Sequence, residues 1–477
     1  MGTLLIGGKW KDAVGGEVID VINPCTAETF ATIDRGQAVD IDLAVEAAQR
    51  ALDGEWGRKT ATERGRILHR FGQLILDHKE ELAQTEARDT GKPISVARND
   101  ITAAARYFEY YGGAADKIHG TTIPYLDGYN VSVVREPHGV TAHIIPWNYP
   151  AQMFGRTLAP ALAMGNAAVL KPAEDACLSV LLLGKLGQEA GLPPGALNIV
   201  TGYGHEAGTA LSGHRGIHFV TFTGSPAVGS LVQQAAARNH IPCVLELGGK
   251  SPQIVFDDAD QARAVPIIVN AIVQNSGQTC AAGSRLLVQE TIYAAFVEKV
   301  AASLRTSLVG TPEMDLSCGP IINAKQFNRV NRFINEAKNA GLTVLAEGSL
   351  APGLAATGYF VKPILFGSVP RTHELAHDEV FGPVLTAMAF VDEEDAVRLA
   401  NATEYGLTAG VWTESAQRQA RMAKRVVSGQ IFLNCYGAGG GVELPFGGFK
   451  KSGHGREKGF LALEEMSTTK TIVQHYK

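Results

Sequence analysis

Short runs of consecutive apolar residues alternate, along most of this chain, with longer stretches in which apolar positions recur every three or four residues. The first kind reads as strands covered on both faces, the second as amphipathic helices. After residue 138 the order becomes regular: VTAHIIP, a helix over residues 157–164, AAVLKP, a helix over 179–190, ALNIVTG, a helix near 207–211, then IHFVTFTGS. Such alternation predicts a parallel sheet wrapped by helices. It resumes with VLELGGKSPQIVF, a helix over 260–273, RLLVQ, and a long helix ending near residue 308. A second α/β unit is implied. TVLAEG, FVKPILF, VLTAMAF, TAGVWT and GQIFLN extend it, before a glycine-rich loop and a last strand-like TKTIVQH.

Two stretches depart from this rhythm. Residues 1–36 break short apolar runs with turn residues, and helical spacing then holds over 40–52, 61–88 and 100–115. Around residues 120–138, TTIPYLDGYNVSVVREPHG places Asp127 and Gly128 between two β-rich arms, the signal of an antiparallel hairpin leaving the main body. No internal repeat or low-complexity tract is evident.

At 477 residues the chain exceeds the size at which single cores stop growing, so two or more domains are expected. With 45% hydrophobic and 19% charged residues it reads as an ordinary globular protein. A net charge of −5 and dispersed Lys and Arg offer no basic field for nucleic acid. Six cysteines (Cys25, Cys177, Cys243, Cys280, Cys318, Cys435) stand far apart without a CxxC pair, which argues against a zinc site or a disulfide framework and for a reducing compartment. The N-terminus lacks a basic segment followed by a sustained apolar one, and no run approaches the ~18 apolar residues that span a bilayer. A cytoplasmic protein without membrane contact is expected.

Candidate chemistry concentrates in a few polar, glycine-rich segments. In NSGQTCAAGSR (residues 275–285) Cys280 lies among small and polar neighbours, which leave its sulfur room and let backbone N–H groups approach whatever it attacks. A free cysteine is most often a core residue, so this loop alone does not decide. FTGSPAVG follows a strand and opens a helix, so Gly224 and Gly229 can admit a phosphate to a helix N-terminus, although the segment is also an ordinary strand-to-helix turn. In AVLKPAED, Lys171 and Glu174 end a strand and suit ribose hydroxyls or a solvated charge pair equally. Glu246, in LELGGKSP, is a candidate general base or a carboxylate bonded to its loop. In PWNYP, Asn148 sits between prolines, as an oxyanion donor or as a turn asparagine. EVFGPVL and PFGGFKKSGHGRE carry more glycine and charge than packing requires.

Taken in order, PWNYP, FTGS, LELGGKSP, GQTC, EVFGPV and PFGGFKKSG span nearly the whole chain and resemble the NAD(P)-dependent aldehyde dehydrogenase superfamily, of the hydrolytic type. The resemblance implies two doubly wound α/β domains plus a small oligomerisation hairpin. Residues 1–118 with 139–247 would bind the dinucleotide, 248–450 would carry the nucleophile, and 119–138 with 451–477 would form a homodimer or homotetramer. It makes Cys280 the nucleophile, Glu246 the base, and Asn148 with the Cys280 N–H the oxyanion hole. Lys171 and Glu174 fall at the adenosine ribose, Ser225 at the pyrophosphate, and Glu379 with Phe381 at the nicotinamide ribose. Pro146, Trp147, Gly204, Phe222, Thr223, Gly224, Leu247 and Gly248 lie on the same cofactor side. Glu457 falls where many members have a second acid, proposed as a proton relay. NAD is expected over NADP, because Glu174 would repel a 2′-phosphate.

The implied reaction is oxidation of an aldehyde to a carboxylic acid through a cysteine thiohemiacetal and thioester. Two alternatives stand beside it: a CoA-acylating semialdehyde dehydrogenase, against which Glu246 argues, and a catalytically silent dinucleotide-binding protein. A cysteine hydrolase would need a histidine partner that no motif supplies. Tyr149, Gln152, Met153 and Arg156 match positions lining the substrate tunnel, and residues 437–443 (GAGGGVE) suggest a wide mouth. Arg156 stands where betaine-aldehyde-type members carry an aromatic residue. The substrate expected is an aromatic or carboxylate-bearing aldehyde, with Arg156 either pairing that carboxylate or lying on a helix surface.

Overall fold

The structure, a computed structural model, describes residues 2–437 and 441–477. Two large sheets organise it. The first runs, edge to edge, Lys9–Lys11, Leu4–Ile6, Leu197–Ile199, Ala167–Pro172, Val140–Ile145, Phe219–Thr223, Cys243–Glu246 and Gly453–His454. Its five central strands are parallel. They are also apolar enough to be covered on both faces, with every residue of Val140–Ile145 and Ala167–Pro172 buried. From Val140–Ile145 the chain winds outward through Ala167–Pro172 to Leu197–Ile199, then crosses back to add Phe219–Thr223 and Cys243–Glu246 on the other side. The reversal opens a crevice at the carboxyl ends of Val140–Ile145 and Phe219–Thr223, where doubly wound sheets bind ligands.

The second sheet has the order Thr343–Glu347, Ile364–Gly367, Val384–Phe390, Arg285–Gln289, Pro252–Val255, Thr408–Trp412 and Gln430–Leu433. All its pairings are parallel except that of the first edge strand. Ile254 and Leu287 face one apolar layer, whereas Val255, Leu286 and Val288 face the other. The α/β fold expected from the alternation is thus present in both sheets.

A third, three-stranded sheet pairs Ser467–His475 antiparallel with Tyr129–Pro137 along nine residue pairs, and Thr121–Thr122 closes the hairpin. Ile123, Tyr125, Leu126, Ile472, Val473 and Tyr476 are exposed on and beside it.

Several boundaries differ from the sequence reading. The helix expected over 61–88 is two helices, Ala61–Asp77 and Lys79–Thr90, broken at His78, whose φ of −100° and ψ of 18° close one and open the next. The one expected over 100–115 starts a turn and a half earlier, at Ile94 behind Pro93. That expected over 157–164 begins at Pro150, since proline at the first helical position lacks only an N–H that has no partner there. Near 207–211 a π-turn, Gly204–Gly208, precedes a short helix, Thr209–Ser212. Ala324–Asn339, Glu393–Ala400, Ala416–Arg425 and Gly459–Glu465 are further helices. Among the described residues no helix is long and apolar enough to cross a membrane.

Candidate active site

Helix Gln261–Val273 runs into the one-turn segment Gln274–Gly277, where the backbone reverses hand: Asn275, Ser276 and Gly277 have φ of 49°, 57° and 70°. Side chains with a Cβ rarely adopt this. Here neighbours hold it in place. Asn275 Nδ2 donates to the Asn148 carbonyl at 3.1 Å, Ser276 Oγ to the Gly319 carbonyl at 2.7 Å, and Gln278 Nε2 to the Pro320 carbonyl at 3.2 Å. At Gly277 a Cβ would lie 2.2 Å from the Gly382 carbonyl oxygen, so only glycine fits.

This fixed turn delivers Cys280. Tyr149 lies 2.7 Å from the Thr279 hydroxyl on one side of it, and on the other Tyr436 donates to the Ala281 carbonyl at 2.7 Å. Cys280 stays partly accessible. Burial nonetheless pushes its thiol up to about 12, against the pull of the Arg156 charge and with a further push from Glu246. At neutral pH the sulfur therefore rests protonated.

Asn148 follows the central strand Val140–Ile145, at the crevice. Its Nδ2 donates to the Gln278 carbonyl at 2.9 Å, which leaves the amide's second hydrogen for another acceptor. Its own carbonyl is clamped by Asn275 and by Lys92 Nζ at 3.0 Å. Lys92 is fully enclosed and also bonds Glu86 at 3.1 Å and Asp100 at 2.6 Å, with the Tyr149 ring centroid 4.6 Å away. Burial disfavours its charge, but Asp100 and Glu86 outweigh that and hold it protonated beyond the ordinary lysine range.

Glu246 ends the strand Cys243–Glu246, buried, with neither carboxylate oxygen accepting a hydrogen bond. Desolvation lifts its pKa well above the carboxylate range, and the Arg156 charge opposes that rise. Arg156 is itself buried on helix Pro150–Met164, with Nη2 3.5 Å from Glu246, Nε paired to Glu457, and its guanidinium 4.4 Å over the Phe446 ring. It is therefore not on a helix surface, and its two partners are carboxylates of its own chain. Of the other tunnel candidates, Gln152 donates to Asp100 at 2.6 Å and Met153 is buried in the core. Residues 438–440 of the loop read as a wide mouth lie outside the described residues.

The remaining candidates gather along the carboxyl edge of the first sheet. Lys171 donates to Glu174 at 2.7 Å, and Glu174 accepts the Gly204 N–H at 3.2 Å. Burial resists ionisation of Glu174, but Lys171 and these hydrogen bonds hold its pKa below the usual range. Thr223 ends its strand, and Ser225 caps the next helix, Pro226–Arg238, by accepting from the Val228 N–H at 3.4 Å. Gly224 lets the Phe222 ring approach, because a Cβ there would come within 2.5 Å of it. The Leu247 side chain fills the space beside Gly229. A Cβ on Gly248 would meet the Glu379 carboxylate at 2.3 Å, and that carboxylate accepts the Gly249 N–H at 2.8 Å. Trp147, after Pro146, stands edge-on to Phe381 with centroids 5.5 Å apart.

The profile of the aldehyde dehydrogenase family matches residues 10–472. The chain belongs to that family. It is 42% identical to aldehyde dehydrogenase family 2 member B4, mitochondrial, of Arabidopsis thaliana over 474 residues, covering 98% of this chain and 87% of the relative. A solved structure from Burkholderia cenocepacia, described as an aldehyde dehydrogenase, superposes with a TM-score of 0.99 at 57% identity, over 99% of this chain and 100% of the other. The NAD+ complex of an aldehyde dehydrogenase from Bacillus cereus does so with a TM-score of 0.96 at 39% identity, over 99% and 96%.

What the sequence reading missed in this dehydrogenase is its support. Asn275 and Gln278 sit inside the cysteine motif but received no role, and Lys92 lies 56 residues from the carbonyl it clamps. A lysine between a glycine and a proline carries no local sign of burial. Removing one partner from a buried charge cluster costs about 3–5 kcal/mol. Lys92→Met should accordingly lower the unfolding midpoint, and, with Asn148 freed, slow acylation of Cys280 by about 10²-fold. Stopped-flow kinetics beside thermal unfolding checks both; a parental acylation rate would remove Lys92 from the support of Asn148.

Proposed function

We propose that this dehydrogenase oxidises an aldehyde to a carboxylic acid with NAD+, by way of a thioester on Cys280. The observation that carries this reading is the convergence, around one partly accessible cysteine, of an amide donor on a clamped turn and a buried carboxylate with both oxygens unbonded. Lys171, Glu174, Gly204 and Ser225 would hold the adenosine and phosphate portion of the dinucleotide. Glu379, Phe381, Trp147 and Gly248 would hold its nicotinamide end. Two features support the fit: a carboxylate already bonded through Lys171 and the Gly204 N–H at a strand's end, and a glycine at which any Cβ would strike Glu379. When bound, the dinucleotide supplies the two-electron acceptor. The body of the first sheet is assigned to it, and that of the second to the nucleophile.

The chain's own residues do the rest. Cys280 gives up its proton to water and its sulfur attacks the carbonyl carbon, and the oxygen that becomes an anion is met by the free hydrogen of Asn148 Nδ2 and the Cys280 N–H. Once the substrate is oxidised to the thioester, Glu246 takes a proton from a water, whose oxygen adds to the acyl carbon. The carboxylic acid leaves and the sulfur regains a proton. A base whose pKa is raised by burial suits this step near neutral pH.

Of the two substrate classes, aromatic aldehydes are the better supported. Tyr149 and Tyr436 flank the Cys280 loop and the Phe446 ring packs under Arg156, whereas Arg156 is already engaged by Glu246 and Glu457. We place the enzyme in the cytoplasm, in line with six unpaired cysteines. We assign it a homodimer or homotetramer built on the third sheet, whose nine-residue strand Ser467–His475 has an open edge and exposed apolar side chains.

Three outcomes test these assignments. Glu246→Gln should release about one NADH per site in a burst and then fall by ~10²–10⁴-fold, with an acyl adduct visible by intact-protein mass spectrometry; parental turnover would take Glu246 out of the mechanism. NAD should exceed NADP in kcat/KM, and Glu174→Gln should narrow the gap; equal use of both by the parent protein would contradict the role of Glu174. Ile472→Glu with Val473→Glu should reduce the mass seen by light scattering, and an unchanged mass would place the interface elsewhere.

A further inference from the structure

We propose that Arg156 is a positioning residue for deacylation: anchored by Glu457 and Phe446, it presents its other end to Glu246, favouring the ionised carboxylate without occupying either of its oxygens. This rests on the reading of Glu246 as the base.

The geometry gives Arg156 two unequal ion pairs. At 3.5 Å from Glu246 Oε2, Arg156 Nη2 lies within ion-pair range but makes no hydrogen bond to it, so both carboxylate oxygens keep their lone pairs free of a protein donor. The closer ion pair is with the other carboxylate. Glu457 pairs with Arg156 Nε and is braced from behind, since its Oε1 accepts from Thr221 Oγ1 at 3.2 Å. Thr221 lies 3.2 Å from Thr157 Oγ1, Thr157 lies 2.6 Å from His143 Nδ1, and His143 Nε2 lies 2.8 Å from Thr141 Oγ1. A neutral imidazole protonated at Nδ1 satisfies this whole string with every donor aimed toward Glu457. His143 is that neutral group, because complete burial lowers its pKa to about 3. The string ends in the core at the buried Thr141, so it fixes Glu457 and leads to no solvent.

Other charges facing Glu246 do not replace Arg156. Arg456 is turned to the Gly448 and Gly455 carbonyls and to the Phe449 ring. Lys458 Nζ lies 5.3 Å from the Phe446 ring centroid, and burial lowers its pKa to about 7, so it holds its charge only in part at neutral pH. Glu457 and the Cys280 thiol complete the set: the first disfavours a second negative charge, and the second is uncharged at neutral pH. Tyr107 borders Arg156 as well, and its own ionisation lies far above neutrality because it is buried.

The test follows the hydrolysis of an acyl-enzyme formed without dinucleotide. With para-nitrophenyl acetate, Cys280 takes the acetyl group, para-nitrophenolate leaves in a burst, and the steady rate that follows reports attack of water on the thioester. An opposite charge at this range moves a carboxylate by about one to three pH units. Arg156→Gln should shift the acid limb of that steady rate upward by this amount, with recovery at high pH, and Arg156→Lys should restore most of it. Glu457→Gln should move the limb the other way, since the guanidinium is then left to Glu246 alone. A limb at the parental pH with a rate lowered equally throughout would overturn the proposal as mere packing. Should Arg156→Gln not fold, an unmoved or raised limb in Glu457→Gln overturns it as well. Glu246→Gln hydrolysing its acyl group at the parental rate would fail the underlying reading itself, and so is told apart from failure of the clamp.

Discussion

Five residues, Leu247 to Ser251, join the last parallel strand of one sheet to a central strand of the other. So short a link leaves no room for a helix, and the carboxyl edge of the first sheet must face the amino edge of the second. The geometry of the site follows from that. Its two glycines admit what a side chain would exclude, the Glu379 carboxylate at Gly248 and the Cys280 carbonyl at Gly249. The link is also tied down, since buried Arg285 donates to the Lys250 carbonyl at 2.8 Å and the Leu247 N–H to the Ser452 carbonyl at 3.0 Å. Glu246 at one sheet's edge and Cys280 on the loop before the other sheet's strand thereby become neighbours without touching in sequence.

Elements were legible where a periodic pattern matched one mode of burial. Val140–Ile145 and Ala167–Pro172 are buried throughout and mostly apolar because helices cover both faces, and such runs announce parallel strands. Helix Ala416–Arg425 buries only Met422, so there was no stripe to read. Proline misled at Pro150, where the helix starts earlier than the residues around it suggested.

The site divides in the same way. Residues that need a special backbone or a lone chemical group lie in short glycine-rich segments and could be named from them. Residues that hold those groups in place, such as Lys92, Gln278 and the His143 string, act across tens or hundreds of positions through burial that only the fold creates. Arg156 fell between the two readings offered for it: its place on a motif was visible, but the two carboxylates it meets come from other strands and loops.

The protonated resting state of Cys280 has a bearing beyond turnover. Thiolates, not thiols, are the forms that peroxides and electrophiles attack, and oxidation past the sulfenic acid is in most proteins irreversible. A thiol whose surroundings favour its protonated form is sheltered from that damage while idle. For an enzyme whose substrates are themselves electrophiles, the low-dielectric floor of the cleft acts as a safety catch on its most vulnerable atom.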